Sequence, residues 1–195
     1  MHGLPRITVE VPVLNIGSRP TDYQALGTYV NGLRREQGLH MTLLHIGILP
    51  EFVQDIADWT KGRTSTDVAT RRTADWLRGL PVLAGFSGTA ERLISLAGGN
   101  VSGLEVQVPE RVHDYQVFLV QALHGLLEEL QVDNVDDFIL SSPALGFRYP
   151  RWVPHVAIGR PKTRSGGSWE IRPLTVDFGP SQIRNGRLLP EAGGP

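Results

Sequence analysis

The sequence predicts a mixed fold, α/β or α+β, with two related lobes, and three observations predict it. Segments with strand-like and helix-like patterns alternate along the chain, as they do where helices cover a sheet. A strand–helix–strand order occurs twice, and in both units the second strand carries a histidine near its start, His40 and His155. A chain of 195 residues is the size of one domain. Residues 1–190 are therefore expected to form one domain with two related β-α-β lobes. The sequence EAGGP, 191–195, is expected to be a frayed tail.

The first unit opens with Arg6 to Ile16 (RITVEVPVLNI), a strand by its β-branched residues. Gly17-Ser18-Arg19-Pro20 breaks it. Tyr23, Leu26, Val30 and Leu33 then recur at three- and four-residue steps, which predicts a helix over 21–37 closed by Gly38. Leu39 to Leu49 (LHMTLLHIGIL) reads as the second strand, stopped by Pro50. Two short helices follow, Glu51 to Thr60 and Asp67 to Arg78. The purpose of 51–79 is open between a lid over a groove and a packing element, and packing is the simpler reading. Between Leu80 and Pro109 the pattern gives two or three strands with glycine-rich turns, among them Gly98-Gly99-Asn100. The second unit then runs from strand Leu104–Pro109, through a helix over 112–130 with apolar residues at Val112, Tyr115, Leu119, Leu123, Leu126 and Leu130, to strand Trp152–Gly159 (WVPHVAIG). An Asp- and Ser-rich loop joins the last two. Lys162 to Ser168 is a polar turn, and Leu174–Phe178 with Gln182–Leu189 reads as a closing hairpin.

Composition narrows the functional classes. Hydrophobic residues are 41% and charged residues 20%, which suits a globular protein and excludes a wholly disordered one. Nineteen basic against twenty acidic residues give a net charge of −1. A protein that coats nucleic acid through its phosphates is usually strongly basic, so any such role here is confined to a local site. Cysteine is absent, which excludes disulfides, thiol catalysis and Cys-based metal clusters. No apolar run is long enough for a membrane span. Residues 1–13 lack the apolar core of a secretory leader, so a cytoplasmic location is the expectation. The histidines have no metal-ligand spacing, and no cofactor or obligate protein partner is expected.

The chemistry concentrates at His40-Met41-Thr42. On a strand, residues two apart share a face, so an imidazole and a hydroxyl stand together. The hydroxyl can donate to a phosphate oxygen while the imidazole moves a proton, a task suited to its ordinary pKa of about 6.5. One such pair is weak; the histidine of Pro154-His155-Val156-Ala157 strengthens it. Cleavage of a phosphodiester needs a base on one side and an acid on the other, and two histidines across a cleft supply both without a metal.

The pieces LHMTLLHIG and WVPHVAIG resemble the paired motifs of the two-histidine (2H) phosphoesterases, the superfamily of RNA 2′-5′ ligase-like proteins and cyclic phosphodiesterases. The resemblance extends over most of the chain, including RITVEVPV, PVLAGFSGTAERLISLAGG and the long helix. It implies an α+β bilobal fold, with pseudo-two-fold symmetry around a central cleft, and a metal-independent phosphodiesterase acting on a 2′,3′-cyclic phosphate or a related nucleotide or RNA-end phosphodiester. Each motif of that family is His-x-Thr/Ser. His40 and Thr42 match the first fully; His155 matches the histidine of the second. The resemblance implies that His40 and His155 are the base and acid, in an order the sequence leaves open, with a bell-shaped pH–rate profile, and that Thr42 holds the phosphate. Ala157 stands where the family has a hydroxyl. Loss of one transition-state donor costs about 2.7–4 kcal/mol. Three outcomes stay open: a slow enzyme, a substitute donor among Arg148, Tyr149, Arg151 and Arg160, or a member that binds nucleotide or RNA ends with little turnover. Ala157, Tyr149 and Arg151 are accordingly taken as substrate-contact positions.

The remaining candidates have simpler readings. Strand parity puts His45 on the face opposite His40, as a packing residue. His113 is expected at the surface, and His124 in a packing or surface role. Arg34-Arg35 and Arg71-Arg72 read as solvated helix faces, and Trp59, Trp76 and Trp152 as packing residues. Gly85-Phe86-Ser87-Gly88 lacks the ending of a phosphate loop.

Overall fold

A computed structural model describes residues 5–145, 152–162 and 167–191. Helices and strands mix around an antiparallel sheet, an α+β architecture. The strands are β1 (Ile7–Ile16), β2 (Val30–Asn31), β3 (His40–Gly47), β4 (Phe86–Leu96), β5 (Val101–Gln107), β6 (His155–Pro161), β7 (Ser168–Phe178) and β8 (Gln182–Arg184). The helices are α1 (Pro20–Gln24), α2 (Leu49–Trp59), α3 (Thr66–Gly79), α4 (Glu110–Glu129) and α5 (Val135–Ser141).

The strand order is β2-β6-β3-β1-β7-β4-β5, with β8 paired to β1. Because β5 also pairs with β6, the hydrogen-bonded path closes on itself. That closure brings β3 and β6, far apart in sequence, into contact at Met41↔Val156. One face of these strands is covered by helices. Met41, Leu43, Ile46, Leu104, Val156 and Ile158 are buried there. From the helices come Phe52, Ile56, Leu77, Leu119, Leu127 and Phe138, all buried. Fully burying one such side chain is worth about 1.5–3 kcal/mol, so this layer dominates stability.

The segment 51–79 belongs to that layer. Helix α2 buries Phe52, Val53 and Ile56, and α3 buries Ala69, Thr73, Ala74 and Leu77. Ser65 caps α3 by accepting a hydrogen bond from the Val68 N–H. These helices pack; they are not a lid. The turn from β3 into α2 requires glycine at Gly47. Its φ is +85°, and a Cβ there would lie 2.1 Å from the Ala144 carbonyl oxygen.

Four sequence expectations are corrected. The helix expected over 21–37 is only α1, followed by a 3₁₀ turn (Ala25–Thr28) and β2. Gly27 weakens the helix and Gly32, at φ +59°, ends any continuation. Tyr23, Leu26 and Val30 are nonetheless buried, so burial reproduced a helical period without a helix. The first β-α-β unit therefore lacks its long helix. The Asp- and Ser-rich loop contains α5, too short to show a clear period, which inserts Phe138 and Ile139 into the core. The closing hairpin does not form. Gly179 N–H donates to the Pro12 carbonyl, and the chain crosses to pair β8 with β1 instead of β7. Trp59 is 36% exposed; it lies edge-on to Phe138 and its indole N–H donates to the Asp133 carbonyl.

Tyr23 gives a pH prediction. Its hydroxyl donates to the Arg34 carbonyl. Burial, and then the negative charge of Glu36, push its pKa up to about 12 against the opposing pull of Arg34. The neutral phenol is favoured in the fold, so the stabilisation is complete below pH 10 and is lost as pH rises towards 12. Denaturant unfolding at pH values of about 9 to 12 is expected to show this decline, and Tyr23→Phe to flatten it. An unchanged slope in the variant would reject the assignment.

Candidate active site

The bridge between β3 and β6 builds the site. Met41 and Val156 pair and point into the core, so the residues on either side of each point to the opposite face. Those residues are His40 and Thr42 on β3, and His155 and Ala157 on β6. The antiparallel sense sets Thr42 towards His155 and His40 towards Ala157. The two histidines are then diagonal neighbours, for which the spacing is about 7–8 Å.

Both imidazoles are held alike. His40 Nδ1 lies 3.1 Å from the carbonyl of Gly38, and His155 Nδ1 lies 2.7 Å from the carbonyl of Val153. A carbonyl only accepts, so Nδ1 carries the hydrogen in each ring and Nε2 carries the lone pair of the neutral form. In both cases the carbonyl is two residues upstream of the histidine. This fixes ring orientation and tautomer, which acid–base transfer at Nε2 requires.

Around His40 stands a cluster that strand patterning does not single out. Glu10 is opposite Thr42 in the β1–β3 register, and its side chain is only 3% exposed. It receives hydrogen bonds from Thr8 Oγ1 (3.1 Å) and Gln182 Nε2 (3.3 Å). Arg184 Nε lies 3.5 Å from Glu10 Oε2, and Arg184 Nη1 donates to His40 Nε2 at 3.1 Å. His40 Nε2 is also 3.5 Å from Glu10 Oε2. A buried carboxylate survives only when paired, and this one has a cation and two donors. The signal in the sequence was a lone acid inside RITVEVPV; its cation comes from β8, at the far end of the chain.

Other groups stand around His155. Glu105 is its neighbour on β5 and is 3.7 Å from Arg92. Gly103 stands opposite Ala157, and its bare backbone lies against the His155 ring. Trp152 Nε1 donates to the Thr42 carbonyl at 2.9 Å and meets His113 edge-on. Trp152 thus ties the approach to β6 onto β3, in the packing role expected of it. His113 is exposed as expected, and His124 is half-buried on α4, 3.4 Å from Asp136.

A register detail overturns the parity reading of His45. Glu10 pairs with Thr42 but Val9 pairs with Leu44, so β3 bulges at Leu43. Leu43 and Leu44 are both buried, and His45, opposite Thr8, returns to the side of Thr42 and Glu10. Strand β6 repeats the device. Gly103 pairs with Ala157 but Ser102 pairs with Gly159, so Ile158 bulges and Arg160 is exposed. His45 and Arg160 occupy equivalent places, five residues after each histidine.

Two clefts lie at the two ends of β6. One of about 330 Å³ is lined by Glu91, Arg92, Glu105, Gln107, His113 and Pro154. The larger, about 860 Å³, is lined by Asn31, Gly32, Arg34, Asn100 and Arg160 among others, with no carboxylate among the described residues that line it. Arg71, Arg72 and Arg35 are exposed as expected. Gly85-Phe86-Ser87-Gly88 leads into β4 and forms no phosphate loop. Tyr149, Arg151 and Arg148 lie outside the described residues. Among the described residues there is no cluster of three or more metal-ligating side chains, and no helix is long and apolar enough to cross a membrane.

No protein-family model matches the sequence, and no curated protein matches it. Among solved structures the chain is similar to TT0787 of Thermus thermophilus, at 15% identity and a TM-score of 0.46 over 92% of this chain and 94% of that one. It is also similar to a phosphoesterase, at 14% identity and a TM-score of 0.42 over 92% and 96%. Likeness at this level leaves function to the geometry of the site.

Proposed function

We propose that the protein is a metal-independent phosphodiesterase acting on a 2′,3′-cyclic phosphate or a related nucleotide or RNA-end phosphodiester. The observation that carries the reading is the pair of imidazoles on one sheet face, each tied through Nδ1 to the carbonyl two residues upstream. In hydrolysis, water forms a bond to phosphorus and gives its proton to Nε2 of one histidine. The bond from phosphorus to the ribose oxygen breaks, and that oxygen takes a proton from the other histidine. The product is a phosphate monoester, and the pair has exchanged protonation states. Thr42 donates to a non-bridging oxygen. The matching bulges of β3 and β6 support a reading of the two motifs as related halves of a two-histidine site. Arg160, brought to an exposed position by its bulge, supplies positive charge to the cleft at the far end of β6.

The cleft at Arg34 and Arg160 suits the anionic remainder of the substrate. Two arginines and a net charge of −1 favour a nucleotide or a chain end over a long duplex. The expected result is turnover of at least one of the four 2′,3′-cyclic nucleotides in excess EDTA. Loss of turnover on chelation would reject the metal-independent mechanism. A second reading rests on Ala157: a member that binds such ends with little turnover. It predicts nucleotide binding without single-turnover product.

A further inference from the structure

We infer that Arg184 is the phosphate ligand of this site and that in the resting protein it is parked on the acid–base nitrogen of His40. The inference rests on the phosphodiesterase reading and deepens it.

Arginine has donors only and stays charged, so the 3.1 Å contact between Arg184 Nη1 and His40 Nε2 requires a lone pair on Nε2. The same ring gives its Nδ1 hydrogen to Gly38. The guanidinium therefore caps the lone pair that Nε2 uses for acid–base transfer. Glu10 Oε2 lies 3.5 Å from that nitrogen, and two acceptors face each other there. The guanidinium lies against both, with Nε near Glu10 and Nη1 on His40.

The pairing has an obvious competitor. A phosphodiester anion offers non-bridging oxygens that match the planar guanidinium fork, and arginine–phosphate pairs are charge-assisted. Arg184 comes from short β8 and is 40% exposed, whereas Glu10 is buried and anchored by Thr8 and Gln182. The arginine is the member able to move. When it turns to phosphate, the His40 lone pair is uncovered for the proton of the attacking water. Nε2–H then has Glu10 as its acceptor. Substrate binding and base activation become one event. Thr42 and Arg184 would then hold the phosphate from the β3 side.

The test uses the full chain with inorganic phosphate as probe, followed by calorimetry and by ¹⁵N shifts of the histidine rings. Wild type is expected to bind phosphate with a change at His40 Nε2. Arg184→Ala is expected to weaken phosphate binding about 10–100-fold, the size of a lost charge-assisted bond. It should raise KM for a cyclic nucleotide by a similar factor, and guanidinium ion in the buffer should restore part of the loss. Arg71→Ala, an exposed charge on α3, should change neither. Arg184→Ala leaves the Glu10 carboxylate without its cation; if that unfolds the protein, Glu10→Gln with Arg184→Ala takes its place. Phosphate binding unchanged in the variant, or no His40 response in wild type, would overturn the proposal. Absence of cyclic-nucleotide turnover with phosphate binding intact and Arg184-dependent would reject the enzymatic reading while leaving Arg184 as the ligand.

Discussion

His40→Ala and His155→Ala are each expected to lower EDTA-resistant turnover of a 2′,3′-cyclic nucleotide by about 10²–10⁴-fold, the usual contribution of a positioned acid or base. The two losses should not add. A proton taken by one imidazole and given by the other belongs to a single cycle, so the double variant should fall close to the worse single one. Neither change should unfold the protein. His40 is 20% exposed at its side chain, and both rings are on the face away from the packed helices. Removing His40 leaves Glu10 paired with Arg184, Thr8 and Gln182, so no buried charge is stranded. Single-turnover rates with thermal melts of both variants check this. If either variant retains more than about a tenth of the wild-type rate, paired-histidine catalysis is rejected. Selective loss in one variant would indicate one acid–base residue, with water serving as the other.

How far the site was legible depended on how local each signal was. The His40-x-Thr42 pair and the His155 strand are local patterns, and the strands and faces follow from period two. The register that brings them together is not local. It rests on one bridge, Met41↔Val156, made possible because β5 pairs with β6 and closes the sheet. The His45 reading failed because a bulge at Leu43 adds a residue, and parity counting has no way to register an insertion of one. Glu10 and Arg184 come from opposite ends of the chain, and only the crossing of the last strand to β1 joins them. The helix expected over 21–37 failed for another reason. Tyr23, Leu26 and Val30 are buried at helical spacing, yet the glycines among them favour a turn and a short strand. Long helices with clear stripes, α2 to α4, were legible because packing and propensity agree there.

Ala157→Thr is expected to raise kcat, by up to about a hundredfold, because a preorganised donor at a reacting phosphate is worth roughly 10²–10³. The position can accept the change. Ala157 is half-buried on the open face of β6, its β5 neighbour is Gly103 with no side chain, and threonine suits a strand. The new hydroxyl would face the site from β6 as Thr42 does from β3. Ala157→Val supplies the control, with the same shape and no donor, and should not raise the rate. The gain should appear in kcat more than in KM, since a donor aimed at charge that develops in the transition state adds little to ground-state binding. Equal rates in wild type and Ala157→Thr would mean that the donor set is already complete. Arg184 would then be the substitute donor, and its removal should be far more costly than in a protein with a hydroxyl at both motifs. A rise in both the Thr and Val variants would reject the donor explanation, because bulk alone would have improved the site.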